Sequence, residues 1–347
     1  MSALVLSAAD VRRLLPMATA IDLMASALER LARGGCRNPL RWGLPVPEAG
    51  GLIGMMPGYL DAPRALGIKV LALMPGNHGT PYDTHQGVVL LFDPDHGFPI
   101  AIADAGEVTA VRTAAVSGLA TRLLARDDAG DLAILGTGVQ ARSHLAAMRA
   151  ARELRRVRVY SRDAERRRAF ARAESERHGL EVEAAPTAAA AVAGADLVCT
   201  VTSSREPVLM GEWLSPGVHV NAAGSSIAAA RELDTAAVVR SRLFVDRRES
   251  TFNEAGDFLI PKREGAVDDD HVVAELGEIL TSEAAGRRSP DEITLFKSLG
   301  LAVEDLAAVR HVYERAVEEG LGTRVELGEA GPGADGPGRR TLPPLRG

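Results

Sequence analysis

The fold is decided by the stretch Leu132-Ala133-Ile134-Leu135-Gly136-Thr137-Gly138-Val139-Gln140-Ala141. Its apolar first half predicts a buried strand, and its second half has the pattern Gly-x-Gly-x-x-Ala, which opens a helix. Gly136 permits the tight turn, Gly138 lets the backbone approach a pyrophosphate, and Ala141 lets strand and helix pack closely. Because helix N-termini attract anions, we predict a Rossmann domain that binds a nicotinamide dinucleotide. The predicted cofactor-binding residues of this loop are Gly136, Thr137, Gly138, Val139 and Gln140.

The end of the next predicted strand bears on the choice of cofactor. An acidic residue there binds the ribose hydroxyls of NAD, whereas a small residue followed by arginine suits the 2′-phosphate of NADP. The chain has Tyr160-Ser161-Arg162-Asp163 at this place. Ser161 and Arg162 therefore favour NADP(H), with NAD(H) still possible. Arg162 is also compatible with a charged helix start that Asp163 caps.

Outward from the glycine-rich stretch, predicted strands and helices alternate from residue 131 onward. Such alternation implies a parallel, doubly wound sheet, which we assign to an NAD(P)-binding domain over residues 126–301. The predicted strands of this domain span 132–135, 156–160, 180–184, 197–201, 218–222 and 243–245.

Residues 1–125 have a different pattern, in which short strands and turns lie between helices. The run from Asp93 to Gly97 consists mainly of residues that favour turns and lies between two apolar segments, so it predicts a β-hairpin. Ser7 is a candidate N-cap, and a later helix has Thr109 or Thr113 near its beginning. We expect an α/β protein with a Rossmann-type sheet plus a smaller α+β domain, completed by a returning helix over about 302–325. The predicted strands are 4–6, 52–57, 66–73 and 87–92, and the predicted helices are 11–15, 18–33, 107–125 and 302–319.

Composition and charge exclude several function classes. Of the 347 residues 46% are hydrophobic and 25% charged, as in an ordinary globular protein with room for two cores. The net charge of −6 gives no reason to expect nucleic acid or an anionic membrane as partner. Neither a signal peptide nor a membrane span is predicted, so we expect a cytoplasmic protein. Cys36 and Cys199 are expected to be buried free thiols, and residues 328–347, rich in Gly, Pro and Arg, to be disordered.

Three basic residues in the first region are candidates for binding a substrate. Lys69 interrupts an apolar strand, where an ammonium is costly to bury unless an anion meets it. Arg112 similarly interrupts a helix start of small residues, and Arg41 lies upstream of both. Because a guanidinium binds a carboxylate in bidentate fashion, the three could hold an amino or imino acid. The alternative is that each pairs with a structural carboxylate such as Asp104 or Glu107.

These segments resemble the ornithine cyclodeaminase and mu-crystallin family, which also includes archaeal-type alanine dehydrogenases and cyclic-imine reductases. The resemblance runs from about residue 5 to 320, and five ordered motifs make it specific for the family but less so for a substrate. The motifs are 67–70 (Gly-Ile-Lys-Val), 85–93 (His-Gln-Gly-Val-Val-Leu-Leu-Phe-Asp), 109–115 (Thr-Ala-Val-Arg-Thr-Ala-Ala), 136–141, and 294–305 (Thr-Leu-Phe-Lys-Ser-Leu-Gly-Leu-Ala-Val-Glu-Asp).

The resemblance implies roles for several residues at a cleft between the domains. Arg41, Lys69 and Arg112 would hold the carboxylate of a small amino or imino acid. Met56 and Thr113 would line the same region, Met56 toward the substrate and Thr113 toward the cofactor. Family members are typically homodimers in which the first domain and the C-terminal helix build the interface.

One departure from the family pattern concerns the mechanism. Ornithine cyclodeaminases are similar through residues 221–224 but then carry an acidic residue, which would deprotonate the substrate amine for ring closure. Here Ser226 occupies that place. A serine hydroxyl lacks comparable basicity, although it can hydrogen-bond an imine nitrogen or a water. At this position the chain therefore resembles the imine reductases and mu-crystallin more closely than the ornithine cyclodeaminases.

The sequence leads to the hypothesis of an NAD(P)H-dependent reductase of a small α-imino acid, such as pyrroline-2-carboxylate or piperideine-2-carboxylate. Lys69 and Ser226 would be its catalytic residues, with the pKa of Lys69 lowered by neighbouring arginines. An amino-acid dehydrogenase or ornithine cyclodeaminase that releases ammonia is an alternative. A mu-crystallin-like protein that holds NADPH and a ligand without turnover is another, and a tailoring enzyme of a biosynthetic pathway is a third.

Other polar residues carry weaker hypotheses. His78, His85 and Asp83 share a loop-rich stretch, but their spacing does not support a metal site, so no metal is expected. Lys297 is either a second functional lysine or a partner in a helix C-terminal or interdomain pairing. Asp305 could cap a helix, cross-link the domains or face the cofactor.

Overall fold

The structure is a computed structural model that describes residues 1–77 and 80–328. Its strands are β1 (Ser2–Leu6), β2 (Cys36–Arg37), β3 (Trp42–Val46), β4 (Gly51–Asp61), β5 (Arg64–Leu73), β6 (His85–Phe92), β7 (Pro99–Asp104), β8 (Asp131–Leu135), β9 (Arg156–Tyr160), β10 (Val182–Ala184), β11 (Leu197–Thr200), β12 (His219–Ala222), β13 (Arg242–Val245), β14 (Val272–Glu275), β15 (Thr294–Lys297) and β16 (Thr323–Glu326). Its α-helices are α1 (Ala8–Leu14), α2 (Met17–Ala32), α3 (Ala105–Leu124), α4 (Val139–Ala151), α5 (Ala164–His178), α6 (Ala188–Val192), α7 (Thr235–Val239), α8 (Arg248–Glu254), α9 (Gly256–Arg263), α10 (Leu276–Leu280) and α11 (Ala302–Glu319).

The first sheet is mixed and has the strand order β16-β1-β7-β6-β5-β4-β2, with β3 paired to β4 outside this path. The hairpin predicted around residues 93–97 is confirmed, because β6 and β7 pair in antiparallel fashion. The strands β2 and β3 were not predicted, and β4 and β5 form a longer hairpin than the apolar runs indicated. This hairpin places Met56 and Lys69 side by side as register partners.

The second sheet is parallel throughout and has the order β10-β9-β8-β11-β12-β15-β13-β14. The predicted doubly wound Rossmann sheet is therefore confirmed. From β8 the chain adds β9 and β10 on one side and then β11 and β12 on the other, so the topological switch point lies between β8 and β11. Ligands of such sheets bind at the carboxyl ends of the strands at this point. The prediction missed β14 and β15, and β15 lies inside the sheet between β12 and β13.

The helix α3 is buried along most of its length and packs against α2, α4 and the strand β12. It begins at Ala105, and the Asp104 side chain caps it by accepting a hydrogen bond from the Glu107 amide at 2.7 Å. The prediction that Thr109 or Thr113 lies near the helix start placed the beginning too late, because the aspartate ending β7 is the N-cap. Arg112 and Thr113 consequently lie within the helix, where both are buried.

The helix α11 packs on β4, β5 and α2. It ends at Glu319, short of the expected bound near 325, because Gly320 adopts a left-handed conformation at its C-cap and β16 begins at Thr323. Its first turn, from Ala302 onward, brings Glu304 and Asp305 beneath the strand that carries Lys69. The two cysteines are free and buried, as expected. Within the described ranges no helix is long and apolar enough to cross a membrane. The predicted tail after Gly328, together with His78, lies outside the described residues.

Candidate active site and dinucleotide site

The glycine-rich loop after β8 has the geometry that a pyrophosphate requires. Gly136 has a φ of 128°, and a Cβ there would lie 2.8 Å from the Val201 carbonyl oxygen, so the turn excludes larger residues. Gly138 is the N-cap of the 13-residue helix α4, and no described atom lies within 4 Å of the place its Cβ would take. Val139, which follows, is 59% exposed. These residues leave free amides at an open helix N-terminus and thus fit the phosphates of a dinucleotide.

Gln140 and Thr113 connect this loop with the first region. The Gln140 Nε2 donates to the Thr109 carbonyl oxygen on α3 at 3.4 Å. Thr113 is buried on the same helix, one turn further on. The residues assigned to the cofactor thus lie on both sides of the contact between α3 and α4.

The segment after β9 carries Ser161 and Arg162. The Asp163 carboxylate accepts hydrogen bonds from the amides of Glu165 and Arg166, both at 3.0 Å, and caps α5. The helix-capping interpretation of Asp163 is therefore confirmed. Arg162 is exposed and forms no ion pair within the part of the chain that the structure describes.

Lys69 on β5 is the centre of a buried ionic network. Its side chain is 1% exposed, and its Nζ lies 2.6 Å from the Asp305 Oδ2. The Nζ also donates to the Thr109 Oγ1 at 3.4 Å. Burial lowers the pKa of Lys69 to about 8; Asp305 opposes this shift, and the guanidinium groups of Arg112 and Arg41 add to it. The ammonium is therefore far more acidic than an exposed lysine.

Arg112 on α3 shares the same carboxylate. Its Nε donates to the Asp305 Oδ1 at 2.9 Å and its Nη1 to the Glu304 Oε2 at 3.0 Å. Gly300 has a φ of 79°, and a Cβ there would lie 2.0 Å from the Arg112 Nη1, so only glycine leaves room for this guanidinium. The ion pairs show that Asp305 joins α11 to β5 and α3, which all belong to the first region, and therefore give no support to a cross-link between the two domains.

The carboxylates suggested as alternative partners of the basic residues serve elsewhere. Asp104 caps α3, and Glu107 accepts a hydrogen bond from the Arg12 Nε at 3.1 Å. The alternative is nevertheless confirmed in kind, because Lys69, Arg112 and Arg41 each pair with a carboxylate of the protein. Only the named examples were wrong, since the partners of Arg112 are Glu304 and Asp305, about two hundred residues away in sequence. Burial raises the pKa of Glu304 to about 7, and Asp246 adds to this shift while Arg112 opposes it.

Arg41 reaches the same region from the loop before β3. Its Nε lies 2.7 Å from the Glu254 Oε2 at the end of α8, and its Nη2 donates to the Leu299 carbonyl oxygen at 2.8 Å. The Asp246 Oδ2 accepts from the amides of Leu299 and Gly300, at 2.6 and 2.7 Å, and fixes the turn that both arginines contact. Arg41 retains 28% exposure of its side chain, which makes it the accessible member of the basic set.

Of the acidic members of this site, sequence reasoning named Asp305 without its partners and missed Glu304, Glu254 and Asp246. Glu304 adjoins Asp305 at a helix start, which was a usable signal. Glu254 and Asp246 belong to short elements without a distinguishing pattern, so no sequence signal pointed to them.

Two further predicted residues lie at the carboxyl end of the parallel sheet. Ser226 is exposed in the loop that follows β12. Lys297 is the last residue of the strand β15, so the proposed helix C-terminal pairing was wrong. The buried ammonium of Lys297 instead contacts the Ser226 loop, within the parallel-sheet region.

The stretch with Asp83 and His85 does not form a metal centre in the described part of the chain, where no group of three His, Cys, Asp or Glu side chains could hold an ion. The His85 Nδ1 instead lies 3.0 Å from the Thr84 Oγ1. Desolvation and the ammonium of Lys69 lower the pKa of His85, which places the imidazole near the basic set.

Residues 1–320 match the ornithine cyclodeaminase/mu-crystallin family, and the chain belongs to this family. The resemblance predicted from the five motifs is thereby confirmed. The chain is 38% identical over 325 residues to a Delta(1)-pyrroline-2-carboxylate reductase of Bacillus cereus, covering 93% of this chain and all of the relative. It is 40% identical over 281 residues to the ketimine reductase mu-crystallin of Mus musculus, covering 81% of this chain and 86% of the relative.

Solved structures agree with this family assignment. The Thermococcus litoralis Delta(1)-pyrroline-2-carboxylate reductase in complex with NADH and L-proline has a TM-score of 0.91 and 39% identity, and covers 93% of this chain and 100% of its own. An archaeal alanine dehydrogenase dimer with bound NAD has a TM-score of 0.88 and 30% identity, covering 94% and 99% of the two chains. These relatives use a nicotinamide dinucleotide of either oxidation state, and one of them is a dimer.

Proposed function

We propose that this chain is an NAD(P)H-dependent reductase of small cyclic α-imino acids, Δ1-pyrroline-2-carboxylate and its six-membered homologue piperideine-2-carboxylate. The observation that carries the proposal is the buried Lys69 ammonium, whose pKa of about 8 makes it a proton donor close to neutral pH. It lies beside two arginines in a chain that also has an open dinucleotide loop. The three reductases named among the relatives, at 38–40% identity, support the same reaction.

Arg41 and Arg112 are assigned to the substrate carboxylate. Two nitrogens of each guanidinium already have protein partners, which leaves the Arg41 Nη1 and the Arg112 Nη2 unbonded to other described residues. A carboxylate between them would receive one charge-assisted hydrogen bond from each, instead of a bidentate pair from a single arginine. Met56, the register partner of Lys69, would contact the apolar ring of the substrate.

The proposed reaction adds a proton to the imine nitrogen and a hydride to the imine carbon, giving a secondary amine. Bound NAD(P)H supplies the hydride. Lys69 holds the proton on Nζ and releases it to the nitrogen, after which solvent restores it. Asp305 keeps the ammonium oriented at 2.6 Å. Ser226 hydrogen-bonds the nitrogen or an ordered water.

The segment after β9 supports a preference for NADP(H). The Asp163 Oδ1 is engaged by the helix cap, while Arg162 is exposed and free to meet a 2′-phosphate. The Arg167 Nη1 donates to the Ser161 carbonyl oxygen at 2.6 Å and holds this turn in place.

A homodimer is part of the proposal. The helix α11 buries its apolar face within the chain, so the apolar surface left for a second copy lies on the first sheet. There Trp42 and Leu44, two positions apart on β3 and hence on the same face of the strand, are 65% and 53% exposed. Apolar side chains of this size clustered on one surface are typical of an interface.

The test is to follow NADPH and NADH absorbance with purified protein and a panel of cyclic imino acids. Oxidation of NADPH by pyrroline- or piperideine-2-carboxylate, lost in Lys69→Ala, supports the reductase. Ammonia release from ornithine or alanine with NAD+, and no reaction with any imine, assigns the deaminating alternative. Tight NADPH binding without turnover of either kind assigns the binding-protein alternative.

A further inference from the structure

Lys297 is a buried lysine that the proposed reaction does not use. Its side chain is 1% exposed at the carboxyl end of β15, in register with Ala222 at the end of β12. The Nζ donates to the Ser225 carbonyl oxygen at 2.5 Å and to the Ala222 carbonyl oxygen at 3.3 Å. The ammonium thus holds both ends of the segment that leads from the sheet to Ser226.

Asp257 balances this charge and extends the network. Its Oδ2 lies 2.9 Å from the Lys297 Nζ, and its Oδ1 accepts hydrogen bonds from the amides of Glu232 and Leu233 at 2.7 and 3.0 Å. A buried carboxylate with this many donors is tightly fixed in position. The far end of the Ser226 loop, where the chain reaches Glu232, is therefore anchored to the same lysine.

Glu232 joins this loop to the loop that follows β11. One carboxylate oxygen accepts from the Gly224 amide and the Thr200 hydroxyl, both at 2.8 Å. The other accepts from the amide and hydroxyl of Thr202, at 2.6 and 2.7 Å. Burial and the neighbouring Asp257 raise the pKa of Glu232, and Lys297 opposes that rise. The lysine thus favours the ionised form of the carboxylate that binds both loops.

The two loops border the crevice at the turning point of the parallel sheet. Val201, between the two threonines, has its carbonyl oxygen 2.8 Å from where a Cβ of Gly136 would lie, so the loop after β11 touches the phosphate-binding turn. Residues that bind a dinucleotide and its reaction partner meet at this edge.

We propose that Lys297 is a positioning residue, which acts through the carbonyl oxygens of Ala222 and Ser225 and through Asp257 to hold Ser226 at the crevice. This inference rests on the proposed function, because it concerns the hydroxyl assigned to the imine nitrogen. Replacing the ammonium by an apolar side chain leaves two carbonyl oxygens and a carboxylate unpaired in a buried site. The loop then relaxes, although no group that contacts the reactants has been removed.

The test compares Lys297→Met with Lys262→Met, a matched change at a partly exposed lysine whose partner is Asp269. Lys297→Met is expected to lower kcat for the imine about 10- to 100-fold, because small displacements of reacting groups have effects of this size. The dissociation constant of NADPH, measured by fluorescence, stays within about threefold of the wild type, since the glycine-rich loop is intact. Hydrogen exchange of the amides over 223–227 becomes faster, and Lys262→Met changes none of these.

A double-variant comparison separates positioning from general damage. If Lys297 acts through Ser226, the variant Ser226→Ala combined with Lys297→Met has a kcat close to that of Ser226→Ala alone. Fully multiplicative losses, or unchanged exchange over 223–227 in Lys297→Met, overturn the inference. Asp257→Asn keeps the acceptor for the Glu232 and Leu233 amides and serves as the second variant if Lys297→Met does not fold. A wild type inactive with every imine overturns the proposed function, and the exchange data then still decide whether Lys297 fixes the loop.

Discussion

The Asp305 carboxylate forms ion pairs with two basic residues at once. Its Oδ2 lies 2.6 Å from the Lys69 Nζ, and its Oδ1 accepts a hydrogen bond from the Arg112 Nε at 2.9 Å. The carboxylate thereby joins β5, α3 and α11 at one buried point. It also sets the acidity of Lys69, because it is the main group that opposes the effect of burial on the lysine pKa.

Asp305→Asn is expected to shift the pH profile of the reductase. The asparagine Oδ1 still accepts from Arg112, but the charge that raises the pKa of Lys69 is lost, so this pKa falls below about 8. The protonated lysine is required, and kcat/KM reports groups of the free enzyme, so its decline on the alkaline side begins at lower pH in the variant. Asp95→Asn, at an exposed aspartate paired with Arg64, is the control. If kcat/KM declines at the same alkaline pH in Asp305→Asn as in the wild type, a group other than Lys69 controls that decline.

Glu304→Gln tests the pH dependence of stability. The folded pKa of Glu304 is about 7, above the unfolded value of about 4.3. Between these values the folded state holds a proton that the unfolded chain has lost, so stability falls as pH rises through this window. We expect the Tm of the wild type to fall by a few degrees between pH 5 and pH 8. The fall is smaller in Glu304→Gln and unchanged in the exposed control Glu318→Gln, as measured by calorimetry.

Local patterns in the sequence predicted the parts of the fold that local physics determines. The glycine-rich stretch after an apolar strand predicted β8 and the start of α4, and the start of α11 was predicted correctly. The end of α11 matches the bound at 319, whereas the extension to 325 was wrong because Gly320 ends the helix and β16 follows. The four-residue strand β15 escaped prediction because it ends in a charged residue, Lys297, whose partners lie on other elements.

The basic half of the candidate site could be predicted, whereas of the acidic half only Asp305 was named, and its partners were not. Lys69 stood out because it interrupts an apolar strand. Its partner Asp305 lies 236 positions later, a distance over which sequence spacing carries no information about contact. The pairing is fixed only when α11 packs against β5, and that packing depends on the apolar faces of both elements.

Arg112→Met and Arg41→Met are expected to separate stability from substrate binding. Arg112 is buried between two carboxylates, and its removal leaves them uncompensated, which costs about 3–5 kcal/mol of unfolding free energy. Arg41 is more accessible, so its removal costs less, about 1–3 kcal/mol, but raises the KM of the imino acid at least about tenfold. Urea unfolding and steady-state kinetics measure the two effects. A KM in Arg41→Met equal to that of the wild type would remove Arg41 from the carboxylate site.

Arg162→Glu is expected to reverse the choice between the two cofactors. The exposed guanidinium would form charge-assisted hydrogen bonds with a 2′-phosphate, and a glutamate there repels that phosphate and can accept from the ribose hydroxyls of NADH instead. Loss of such bonds corresponds to a rise in the KM for NADPH of about 10- to 100-fold, while the KM for NADH is unchanged or lower. Arg168→Glu, at an exposed position on α5, changes net charge equally and is the control. If both variants weaken NADPH binding to the same extent, the change in net charge acts on the cofactor at long range and Arg162 does not bind the phosphate. If neither changes either KM, selection between the cofactors lies outside the turn after β9.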